Sequence, residues 1–74
     1  MRTVYISLPT TGAVQDFVAK ISLLGGQFDL LSGNYVLDAK SLMGIFSLDL
    51  TKPIKLRVEK DTKETMQAIE LFIV

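Results

Sequence analysis

QFDLLSGNYVLD, residues 27 to 38, reads as two short strands around a tight turn. In the first run, Gln27 to Ser32, the apolar residues Phe28 and Leu30 point inward. Gly33-Asn34 supplies the positive backbone dihedrals expected of a two-residue hairpin turn, and Tyr35 to Asp38 returns as the next strand.

Upstream of this hairpin, Thr3 to Leu8 alternates, with Val4, Ile6 and Leu8 on one side and Thr3, Tyr5 and Ser7 on the other. That is the period of a half-buried strand. Pro9 breaks it, Thr10 and Thr11 offer hydroxyls for an N-cap, and Val14, Phe17, Val18, Ile21 and Leu24 follow at helical spacing until Gly25-Gly26. Asp16 and Lys20 are placed to pair across one turn of this helix.

Downstream, Ser41 precedes Leu42, Ile45 and Phe46 in a short helix, closed between Asp49 and Pro53. In the next strand Ile54, Leu56 and Val58 face one way and Lys55, Arg57 and Glu59 the other. Asp61 and Glu64 are spaced as a capping box for a last helix carrying Met66, Ile69 and Phe72 or Ile73 to the C-terminus, with Ala68 beside them. The order is βαββαβα. One-sided strands and amphipathic helices are satisfied together when all three helices cover one face of a single sheet, an α+β open-faced sandwich. No linker, repeat or low-complexity stretch divides the chain, so residues 1 to 74 are expected to form a single domain.

A chain of 74 residues has room for one core, with about 60 to 65 per cent of the unfolded surface buried on folding. Hydrophobic residues at 49 per cent and charged residues at 22 per cent are those of a globular protein. Eight basic and eight acidic side chains cancel, which disfavours direct binding to nucleic acid. Near zero net charge, mutual repulsion is weak, and a homodimer is compatible with that. With neither Cys nor His, disulfides, thiolate or imidazole metal sites and triads built on either residue are excluded. No cofactor or metal is expected. No apolar run reaches the roughly 18 to 20 residues of a membrane span, and the N-terminus lacks a signal-peptide pattern, so a cytoplasmic location is expected.

Between Ser41 and Leu48, the residues Leu42, Met43, Ile45, Phe46 and Leu48 are more apolar than one stripe of a two-turn helix can turn inward. Some must face solvent or a partner. Clustered exposure of this kind marks docking surfaces, whereas scattered single exposures are ordinary. Ser41 is placed to cap the helix, a contribution of about 1 kcal/mol. A phosphate on the same hydroxyl would meet the helix's free N–H groups and lie beside the apolar cluster.

AKSLMGIFSL, residues 39 to 48, resembles the regulatory-serine segment of HPr, the phosphocarrier of the bacterial sugar phosphotransferase system. The resemblance runs without gaps back through Gly33-Asn34 to Phe17-Val18, and βαββαβα is the HPr order. It implies the HPr-like open-faced sandwich, with a four-stranded antiparallel sheet. In that family a histidine where the first strand meets the first helix accepts phosphoryl from enzyme I, and a nearby arginine steadies it. Here those positions are Thr10 and Gly12, and the proline that follows in the family is Ala13. A threonine ester could not pass the group onward as phosphohistidine does.

The regulatory half is intact. Ser41 occupies the position of the family's kinase-modified serine, flanked by Lys40, Leu42 and Met43, and with Phe46 these correspond to the surface that docks enzyme I, the HPr kinase/phosphorylase and a catabolite control transcription factor. The whole pattern is similar to catabolite-repression HPr (Crh), which lacks the histidine and keeps the serine. What the resemblance implies is a regulatory protein switched at Ser41. The alternative is a constitutive interaction domain, docking a partner or itself through Leu42, Met43 and Phe46. For an enzyme, Asp29, Asp38 and Asp49 are the only carboxylates on loops or strand ends near the cluster, and none has a base and nucleophile at useful spacing. An enzyme is therefore not expected. Lys55 and Arg57 read as a solvated sheet face.

Overall fold

The computed structural model describes all residues from 1 to 74. Its elements are β1 (Arg2–Ile6), α1 (Thr11–Ser22), β2 (Phe28–Ser32), β3 (Tyr35–Asp38), α2 (Leu42–Phe46), β4 (Ile54–Val58) and α3 (Lys63–Ile69), with a 3-10 turn over Glu70–Phe72. The four strands make one sheet in the order β1-β4-β2-β3, and every neighbouring pair is antiparallel. This is the α+β open-faced sandwich that the alternation and helical periods imply.

The register explains why the core lies on one side only. Ile6 is opposite Ile54, Leu30 opposite Leu56 and Phe28 opposite Val58, so the buried residues of three strands form a continuous apolar floor. Val14, Phe17 and Ile21 of α1, Ile45 of α2 and Ile69 of α3 close over it, all fully buried. Each such side chain contributes about 1.5 to 3 kcal/mol by leaving water. Ala39 and Thr65 are also buried, which the sequence pattern does not single out.

Local chemistry sets the helix ends. Thr10 is extended and its hydroxyl accepts the Ala13 N–H at 3.0 Å, which makes it the α1 cap. The α3 cap is Thr62, accepting from the Thr65 N–H at 3.2 Å, and not Asp61. Asp61 instead lies 3.4 Å from the N-terminal ammonium of Met1. The last helix stops at Ile69 rather than continuing to Ile73, because Ile73 bridges to Ile6 while Ser7 N–H donates to the Phe72 carbonyl and Val74 N–H to that of Tyr5. β1 likewise ends at Ile6 rather than Leu8, although Leu8 is still buried. The Asp16–Lys20 pair does not form, since the ion pairs are Met1–Asp61 and Arg57–Asp29. Lys20 sits over the Phe72 ring at 5.8 Å.

Two glycines have positive φ, Gly26 at 87° and Gly33 at 58°. Asn34 does not share the positive φ expected of it, so Gly33 alone supplies the hairpin's special conformation, as a turn with glycine at its first central position requires. At Gly26 an added Cβ would stand 2.9 Å from the Lys60 Cγ. Gly26→Ala is expected to lower stability by about 1 to 2 kcal/mol from the left-handed backbone alone, read as a fall in the urea midpoint.

The sheet's other face is uncovered. Arg57 is directly opposite Asp29 there, with Nη2 3.0 Å from Oδ2, and Gln27 Nε2 donates to Oδ1 at 3.1 Å. The Gln27 hydrogen bond and then the Arg57 pair hold the Asp29 carboxyl below the ordinary carboxylate range. A depressed pKa adds stability above the unfolded value and loses it as pH falls through the folded one. Asp29→Asn should therefore flatten the fall in stability below about pH 4, with a loss at neutral pH within the ~1 kcal/mol of a surface pair. Chemical denaturation at stepped pH measures both.

Candidate functional site

The segment that presents Ser41 is pinned by short-range bonds. Ala39 is buried and its N–H donates to the Phe28 carbonyl at 2.9 Å. Lys40 N–H donates to Asp38 Oδ1 at 2.9 Å and Ser41 N–H to the Asp38 carbonyl at 3.0 Å. Ser41 is thereby left extended and exposed at the head of α2, where its Oγ accepts the Gly44 N–H at 3.2 Å. A Cβ at position 44 would lie 3.1 Å from that oxygen, so glycine gives the hydroxyl its room.

α2 is one and a half turns long, and Ile45 is its single buried residue. With that side chain anchored in the core, the others fan outward, leaving Met43 85% exposed, Phe46 42% and Leu42 37%. The excess of apolar residues thus becomes a surface beside the Ser41 hydroxyl. Leu48, the fifth member of the cluster, is instead half-buried and lines a shallow hollow with Tyr35, Leu37 and Ser47. The helix is too short to sum many peptide dipoles, and Gly44's N–H is already bonded to the cap, so a phosphate there would have to displace that bond.

Lys40 is less available than its place before Ser41 suggests. Its ammonium donates to the Leu24 carbonyl at the end of α1, at 3.2 Å, and lies 5.5 Å from the centre of the Phe28 ring. That charge closes the α1 terminus.

At the other location, Thr10 and Gly12 are both exposed at the start of α1. The Thr10 hydroxyl is engaged as the cap, and a Cβ at Gly12 would meet nothing nearer than Thr10 Oγ1 at 3.8 Å. Ala13 packs against the core. Nothing at this turn offers a nitrogen nucleophile or a cationic fork.

No protein-family model matches the chain, and no curated protein matches it. Among solved structures, a crystal structure of HPr-C-His from Thermoanaerobacter tengcongensis superposes with a TM-score of 0.78 and 28% sequence identity, over 97% of this chain and 91% of that one. The fold is HPr-like.

Within this HPr-like frame the three aspartates are all occupied by structure. Asp29 is paired with Arg57, and Asp38 shapes the turn before Ser41. Asp49 accepts from the Thr51 hydroxyl at 2.5 Å and the Thr51 N–H at 3.0 Å, and these bonds hold its carboxyl below the usual range. Carboxylates stabilised as anions are poor bases at neutral pH. No three carboxylates converge as metal ligands would. The Asp29–Arg57 contact follows from strand register and could have been found by pairing β2 with β4. The Lys40–Leu24 bond spans two elements and has no counterpart in local pattern. No helix of this HPr-like structure is long and apolar enough to cross a membrane.

Proposed function

We propose that this HPr-like chain is a regulatory docking protein related to the phosphotransferase system, neither a phosphocarrier nor an enzyme, and closest in logic to the histidine-less catabolite-repression variant. The observation that carries the reading is the pairing of an exposed Ser41 hydroxyl with the exposed Leu42, Met43 and Phe46 side chains on one short helix. The former relay position holds only Thr10 and Gly12. A partner burying the three apolar side chains would also read the state of Ser41, because a phosphoryl group there adds a charge of about −1.5 to −2 at the rim of the contact.

In this reading the HPr kinase/phosphorylase modifies Ser41, and a catabolite control transcription factor, or another protein of the phosphotransferase system, recognises the modified surface. Lys40 contributes at the edge only if its ammonium leaves the Leu24 carbonyl. HPr kinase with ATP is expected to add one phosphate to the chain and none to Ser41→Ala, as seen in the intact mass. A chain left unmodified sinks the switch.

A constitutive docking role is the second reading, and the Ser41–Gly44 cap favours it, because the hydroxyl already has a structural task. The two separate cleanly. Ser41→Ala loses about 1 kcal/mol of stability under either, but changes partner affinity only if Ser41 is a switch.

A further inference from the structure

The two edges of the sheet are treated differently. At the end of β1, the C-terminal residues cover the free edge through the Ser7–Phe72 and Val74–Tyr5 backbone bonds and the Ile6–Ile73 bridge. β3, the other edge, has no such cover. Its four residues carry no lysine, proline or bulge, and Asp38 at the end is the only charge.

The hairpin decides which backbone groups of β3 are free. Ser32 and Tyr35 flank the two-residue turn as a bonded pair, so the alternation of an antiparallel ladder leaves the Val36 N–H and C=O pointing away from β2. Val36 is 60% exposed and Tyr35 71%. On the helix side, the hollow of Tyr35, Leu37, Ser47 and Leu48 runs along the same edge.

We propose that the β3 edge is a self-recognition surface, on which a second copy of this chain adds its own β3 antiparallel across a two-fold axis. The strand is self-complementary in one register that keeps both faces matched. Val36 sits on the axis opposite Val36 of the second copy and exchanges two backbone bonds with it. Tyr35 then lies opposite Leu37, joining the two helix-side hollows, and Asn34 lies opposite Asp38. The Asp38 Oδ1 is taken by Lys40 N–H, and Oδ2 stays open to the Asn34 amide. No like charges face each other, and the zero net charge offers no long-range repulsion. An isologous contact of this kind closes at two copies, because it consumes the same edge of both chains.

Sedimentation equilibrium from about 10 µM to about 1 mM, the range in which weak contacts of this size are populated, should show a rising dimer fraction. A mass fixed at the 8.2 kDa monomer throughout overturns the proposal. Val36→Lys sets two ammonium groups against each other on the axis and should abolish the dimer with an unchanged circular dichroism spectrum, since the side chain is outside the core. The chain has no cysteine, so Val36→Cys is a clean probe and should form a disulfide-linked dimer with a thiol oxidant, faster than Met43→Cys. A dimer lost in Met43→Glu but kept in Val36→Lys would place self-association on α2 and overturn the assignment to β3. Neither result bears on phosphorylation of Ser41.

Discussion

Phe17→Ala should lower the free energy of unfolding by about 3 to 5 kcal/mol, the range for truncating a fully buried aromatic side chain. Phe17 has no exposed surface and meets the Phe72 ring edge-on, with centroids 5.3 Å apart and planes at 78°. The loss would spread beyond the cavity. Phe72 belongs to the segment whose carbonyl accepts from Ser7, so loosening its ring also loosens the cover on the β1 edge. A domain of this size has roughly 4 to 11 kcal/mol of total stability, so the loss would remove a large share of it. Urea denaturation reads this directly. A loss under about 1 kcal/mol would mean that α1 does not anchor the core as described.

Met43→Glu is expected to have the largest effect on binding and almost none on folding. Met43 is the most exposed of the three α2 side chains, so its replacement should leave stability within about 0.5 kcal/mol. At the centre of the proposed docking surface it would bury a charge without a partner, and the loss of affinity for HPr kinase, the proposed partner, should be about 30-fold or more, the level of a hot-spot residue. Ile45→Ala is the contrasting variant. Its side chain is buried beneath the same helix, so it should lose about 2 to 5 kcal/mol of stability. Calorimetric titration and thermal melts of both variants separate surface from support. Equal affinity for wild type and Met43→Glu would remove α2 from the interface.

The strands and helices were legible because each carries a strong period. Ile54, Leu56 and Val58 alternate cleanly, and Val14, Phe17 and Ile21 keep one helical face. The exposed apolar surface of α2 was legible from arithmetic, since a helix of one and a half turns that buries Ile45 has no second inward position for Met43. What escaped the pattern is what distant parts of the chain decide. Asp61 and Thr62 are both competent caps, and the N-terminal ammonium 60 residues away engages Asp61. Ile73 fits the helical stripe of α3, yet its bridge to Ile6 takes it out of the helix. Lys40 is placed beside Ser41 by the resemblance, but its ammonium bonds the Leu24 carbonyl. Asn34 could adopt positive φ in a turn, but the strand pairing needs it only at Gly33.

The heads of α2 and α1 differ in what they present. Ser41 at the cap of α2, with Gly44 leaving space around its oxygen, keeps a hydroxyl exposed to solvent. Thr10, followed two residues on by Gly12, caps α1 and offers neither a nitrogen nucleophile nor a guanidinium clamp for a phosphoryl group. The proposed function depends on this asymmetry between the ends of α1 and α2.

Phosphoryl transfer from two donors, read as intact mass on the same protein, tests it most directly. Phosphorylated enzyme I should leave the mass of the wild-type chain unchanged, and HPr kinase with ATP should add one phosphate that Ser41→Ala cannot accept. A phosphate acquired from enzyme I, or none acquired at Ser41 from the kinase, would contradict the account.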